Sequence, residues 1–116
     1  MKAKQNRDFT LFQKEFKKWQ SRFGLTGYKV YFKYEPTGEY FANIEIDQAG
    51  MVATVRLNSQ LADKHKPFRN IRGDAKHEAL HLLLHRVEAN GTYRYLSEAE
   101  MRESIEEVVN KLVDLV

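Results

Sequence analysis

Two hydrophobic periods divide this chain. From Asp8 to Phe23, the residues Phe9, Phe12, Phe16, Trp19 and Phe23 recur at offsets of three and four. That is the repeat of an amphipathic helix, with Asp8 placed to cap it and Gly24 to end it. Lys14, Lys17 and Lys18 lie off the stripe and read as its solvated face. The period then becomes two. Tyr28, Val30, Phe32 and Tyr34 alternate with Lys29, Tyr31 and Lys33, and a turn follows at Pro36 and Gly38. Tyr40, Ala42, Ile44 and Ile46 repeat the pattern, and after a turn at Asp47 to Gly50 so do Met51, Ala53, Val55 and Leu57. Short strands joined by short turns predict an antiparallel meander with one buried face, on which the first helix packs.

A polar, basic connection runs from Asn58 to Arg72 and reads as a loop. Helical spacing resumes from about Asp74 to Ala89, with Asn90 and Gly91 as a stop signal. Ser97 and Glu100 have capping-box spacing, and Met101, Ile105, Val108, Val109, Leu112 and Val116 form a final helical stripe. The link between these helices is short, so they form an antiparallel hairpin. The fold class expected is α+β in one domain spanning residues 1–116: one helix, a small, mostly antiparallel sheet of three strands, then two helices.

Composition narrows the chemistry. The 116 residues include no cysteine, which excludes disulfides and cysteine-held zinc or iron–sulfur sites. Any transition metal must be held by His, Asp or Glu. No apolar run reaches the ~20 residues of a membrane span, and the polar, basic start is unlike a secretory signal, so a cytoplasmic location is expected. The net charge of +3 permits nucleic-acid binding without indicating it, because the bases are dispersed among acids.

Residues 77–81 read His77-Glu78-Ala79-Leu80-His81. On a helix, residues four apart share a face, so both imidazoles can reach one ion. Glu78 is rotated by about 100° from His77 and can flank the metal as a general base without ligating it. H-E-x-x-H is the zincin signature, with a chance frequency on the order of one in a hundred for a chain this long. Apolar residues Ala75, Ala79, Leu80, Leu82, Leu83, Leu84 and Val87 cover most of the same helix. Asp74, His77, Glu78, His81 and His85 fall in one sector of it, about 100° wide. A buried helix seldom keeps such a stripe without a use, because unpaired polar groups there cost free energy.

A catalytic zinc usually takes three protein ligands. His85 lies roughly 12 Å along the helix from His77, too far to share an ion that also binds His81. It reads as a wall or surface residue. In a hairpin, Glu106 falls at the height of His81 and on the flank of the apolar stripe, which makes it the expected third ligand. Glu103, directed more toward solvent, is the runner-up.

The run from His77 to Leu84, followed by Glu106-Glu107-Val108-Val109, resembles a gluzincin, and in particular the short stand-alone metallopeptidases of phages and mobile elements. The resemblance covers the last third of the chain. It implies a minimal zincin-like domain that binds zinc through His77, His81 and Glu106 and cleaves peptide bonds with Glu78 as base. It also implies that the strand before the active helix, Met51 to Leu57, pairs with an extended peptide substrate. Two other readings stand beside it. One is a zinc-dependent nuclease or phosphodiesterase contacting nucleic acid through the Lys64–Arg72 loop. The other is a zincin-like binding module without turnover. No membrane partner is expected, and Tyr93, Arg94, Tyr95 and His85 are the residues available for oxyanion stabilisation.

Overall fold

The computed structural model of the protein describes residues 2–91 and 97–115. Its elements are α1 (Lys2–Arg22), β1 (Lys29–Glu35), β2 (Ala42–Asp47), β3 (Val52–Asn58), a 3-10 turn (Lys66–Phe68), α2 (Ile71–Gly91) and α3 (Glu98–Leu115). This is an α+β domain with all three helices and a three-stranded sheet.

The α1 helix starts six residues before Asp8, because nothing in the Lys-Ala-Lys-Gln-Asn-Arg segment breaks a helix. Its end is as expected. Gly24 adopts a left-handed φ of +71°, and two bonds, Gly24 N to Ser21 O at 3.1 Å and Leu25 N to Gln20 O at 2.9 Å, close a Schellman motif. The aromatic stripe lies on the sheet: Phe12 and Phe16 are fully buried against Ala53, Val55 and Leu57, with Phe9, Val30, Phe32, Ile44 and Ile46 packed around them. Fully burying each such ring contributes about 1.5–3 kcal/mol.

The strand order corrects the meander. The order is β1-β3-β2, with β3 parallel to β1 and antiparallel to β2. The chain leaves β1, passes over the end of β3 to the far edge, and returns through a hairpin into the centre. Alternation assigns the buried face correctly in either topology, so it carries no information on strand order. The crossing segment is held by Asn58, a fully buried residue ending β3. Its Nδ2 donates to Gly38 O at 3.2 Å and Tyr40 O at 2.9 Å, and its Oδ1 accepts from Gln60 N at 2.9 Å and Thr37 N at 3.4 Å. One side chain thus satisfies the backbone of a loop that has no ladder of its own. Met51 belongs to the β2–β3 turn rather than to the buried row; it is 41% exposed, with a positive φ of 55°.

The α2 helix starts three residues before Asp74. Asn70 is its cap: Gly73 N donates to Asn70 Oδ1 at 3.0 Å. A Cβ on Gly73 would approach Asn70 Nδ2 to 2.7 Å, so the glycine gives the cap room. Ala75, Ala79 and Leu82 join the main core, while Leu80 packs with Ile105 and Val109 of α3. Val87, expected in the buried surface, is 58% exposed. Ser97 caps α3, with Glu100 N donating to Ser97 Oγ at 3.2 Å, while Ser97 Oγ donates to Glu100 Oε1 at 3.1 Å. Tyr93, Arg94 and Tyr95, and the side chains of Glu107, Val108 and Val116, lie outside the described residues. No described helix is long and apolar enough to cross a membrane.

Candidate metal centre and groove

Three elements meet at one open groove of about 950 Å³: the edge strand β2, helix α2 and helix α3. With its other faces packed against the core and α3, α2 turns its polar sector to the groove. Asp74, His77, Glu78, His81 and His85 all line it, as their shared sector predicts. Ligating atoms of His77, Glu78 and His81 lie within 4.8 Å of one another, a group able to hold a metal ion.

The hairpin adds Glu106. Its Oε1 lies 3.0 Å from His77 Nε2 and its Oε2 lies 2.9 Å from His81 Nε2, while the two imidazole nitrogens are 3.2 Å apart. Donors on a tetrahedral ion bonded at about 2.0–2.1 Å lie about 3.3 Å apart, close to these spacings, with Glu106 meeting the two imidazoles through different oxygens. The donor set therefore fits a zinc-sized cation. Glu103, one turn before Glu106, also lines the groove rather than facing only solvent. His85 stands on the groove wall.

Burial sets the electrostatics. Glu78 is 5% exposed, and loss of water around it, reinforced by the nearby charges of Glu106 and Asp74, pushes its carboxyl up to about 8. Burial also raises Asp74 to about 6, against the pull of Arg69, and its Oδ2 is a buried oxygen without a hydrogen-bond partner. His81 is shifted down by burial, with Glu106 opposing and His77 adding to the shift.

The expectation that Met51 to Leu57 offers a free edge is overturned. The central strand β3 is hydrogen-bonded on both sides, by β1 and by β2. Among the described residues the strand with an open edge beside the groove is β2. Asn58 N donates to Phe41 O at 3.0 Å, which places Phe41 in a hydrogen-bonded pair of the ladder. Antiparallel pairs alternate, so the backbone groups of Ala42, Ile44 and Ile46 point away from β3, at the open edge.

Two residues that sequence reasoning passed over position this edge. Arg69 Nη2 donates to Phe41 O at 3.2 Å, and Asn58 holds Tyr40. A single Asn or Arg in a polar loop carries no local signal of such a role. Other bases of the loop are also engaged within the protein: Lys66 pairs with Asp63 at 2.7 Å and Arg72 with Glu15 at 3.7 Å.

Compared with protein-family models, with curated proteins and with solved structures, the chain matches none.

Proposed function

We propose that this protein is a zinc-dependent metallopeptidase of gluzincin type. The observation that carries the reading is the convergence of His77, His81 and Glu106 within 3.2 Å of one another, on a groove bounded by an open strand edge. His77, His81 and Glu106 hold the metal. When bound, zinc supplies Lewis-acid activation of a water molecule and of a substrate carbonyl. Glu78 follows His77 on the same groove face. With a cation bound beside it to favour its ionised form against burial, its carboxylate would take the proton of the attacking water and return it to the leaving amine. The outward N–H and C=O groups of Ala42, Ile44 and Ile46 bind an extended peptide by strand addition and hold its backbone along the groove.

The groove's charge disfavours a nuclease. Its lining includes Glu39, Glu45, Glu88 and Glu103 besides the acids around the metal, and these repel a polyanion. In the basic loop, Lys66 is paired with Asp63 and Arg69 is turned onto Phe41 O, which lowers the charge that loop offers a phosphate.

Elemental analysis of protein purified without chelator tests the metal centre. About one zinc per chain is expected in wild type, lost in His81→Ala and weakened in Glu106→Ala. Wild-type protein that takes up no zinc after incubation with it would overturn the reading.

A further inference from the structure

The protein as a whole is basic, yet its groove is acidic. Among the described residues, seven of the chain's 16 Asp and Glu line the groove, against one of its 19 Lys and Arg. Asp74, Glu78 and Glu106 belong to the metal centre and its surroundings. Four glutamates remain that the chemistry does not use: Glu39, Glu45, Glu88 and Glu103. The single guanidinium, Arg102, is shared between Glu88 at 3.5 Å and Glu98 at 2.7 Å, so it neutralises little of the wall. Glu45 shares Arg56 at 3.4 Å. Among the described residues Glu39 and Glu103 have no ion-pair partner, and both are exposed.

Their placement is informative. Glu39 precedes Tyr40 and Phe41, which Asn58 and Arg69 tie to the end of β3 and to the start of α2. Glu103 lies one turn before Glu106 on α3, toward the Arg102–Glu88 contact. Glu39 thus stands just before the open β2 edge, and Glu103 lies on the α3 wall of the same groove. A peptide paired to that edge would carry side chains past both.

We propose that the groove selects cationic peptide segments, with Glu39 and Glu103 as specificity-determining residues that receive Lys or Arg side chains at its β2 and α3 walls. The inference rests on the peptidase reading for the location of the substrate, while the acids set its class. Exposed charge pairs are individually weak, so the preference is additive and salt-sensitive.

Binding separates this inference from turnover. The full chain carrying Glu78→Gln and loaded with zinc is titrated against two dye-labelled peptides of identical apolar core, one with flanking lysines and one with flanking glutamates. The expected result is affinity at least about tenfold tighter for the lysine peptide, shrinking toward parity in high salt. The double variant Glu39→Gln/Glu103→Gln, at two exposed positions, should lose most of the difference while keeping its zinc. Equal affinity for the two peptides, no detectable binding of the lysine peptide, or an unchanged preference in the double variant would overturn the proposal. So would tighter binding of a single-stranded oligonucleotide. Cleavage of the lysine peptide by wild type is scored separately: selective binding without cleavage sinks the peptidase reading and leaves the cationic preference standing.

Discussion

The two sides of α2 are built from opposite materials. One side carries Ala75, Ala79, Leu80 and Leu82, none more than 1% exposed, locked between the sheet, α1 and α3. The other carries Asp74, His77, Glu78, His81 and His85 along a groove. The apolar side supplies the stability, and the polar side uses it. Crowding carboxyls and imidazoles at partly buried positions costs free energy, and a helix held only by such a face would not stay in place. Substitutions on the two sides should therefore separate folding from chemistry.

The largest expected separation is at Glu78. Replacing it with Gln should lower kcat of peptide cleavage by about 10²–10⁴-fold, since it removes the general base. Zinc content should stay near one per chain. Steady-state kinetics alongside elemental analysis checks this, and full activity in the zinc-loaded variant would remove Glu78 from the mechanism.

Next in size is the pH response of metal-free protein. A carboxyl whose folded value is raised favours folding while protonated. The stability it contributes is complete below its ordinary value of 4.5 and is lost as pH rises through about 8. The upper bound for Glu78 is roughly 5 kcal/mol across that window. Asp74 acts with the same sign, up to about 6. His81, shifted down, acts oppositely: it adds stability above 6.5 and loses it as pH falls. Metal-free protein should therefore melt at a lower temperature at pH 8 than at pH 5, and Glu78→Gln should flatten the slope. Thermal melts in chelator across that range decide it, and a wild-type slope of the opposite sign would contradict the burial argument.

On the other side of the helix, Leu82→Ala should cost about 2–5 kcal/mol by leaving a cavity in the main core. Its zinc stoichiometry in native buffer should be unchanged. Urea denaturation measures the loss. The smallest effect belongs to Val87, which lies on the same helix but is 58% exposed. Val87→Lys should change stability by no more than about 0.5 kcal/mol, and a larger loss would mean that a partner or packing surface covers that site.

Much of this architecture is readable before any fold is known. The aromatic stripe of α1, the inward rows Val30–Phe32, Ala42–Ile44–Ile46 and Ala53–Val55–Leu57, and the cap at Ser97 are local patterns. Each depends on periods of 3.6 or 2 and on neighbours within one turn. The histidine pair is local in the same way, because four residues on one helix determine its spacing. Glu106 could be favoured over Glu103 from helix rise and rotation once a hairpin was assumed. Its approach to 3.0 and 2.9 Å of the imidazoles depends on how α2 and α3 pack.

Strand order could not be read, and that omission changed the site. Alternation reports which face of a strand is buried and nothing about its neighbour. Asn58, which ends β3 with three side-chain hydrogen bonds to the crossing loop and one to Gln60 N, fits the β1-β3-β2 order. That order makes β2, not β3, the open edge.

By itself, then, the sequence determined the elements, their buried faces and the pair of histidines with the glutamate between them, because these follow from short-range geometry. Tertiary structure alone decided which strand borders the groove, where Glu106 arrives, and that a basic chain gathers its acids around one cleft. Those outcomes depend on contacts between residues far apart in the chain, and no local period encodes them.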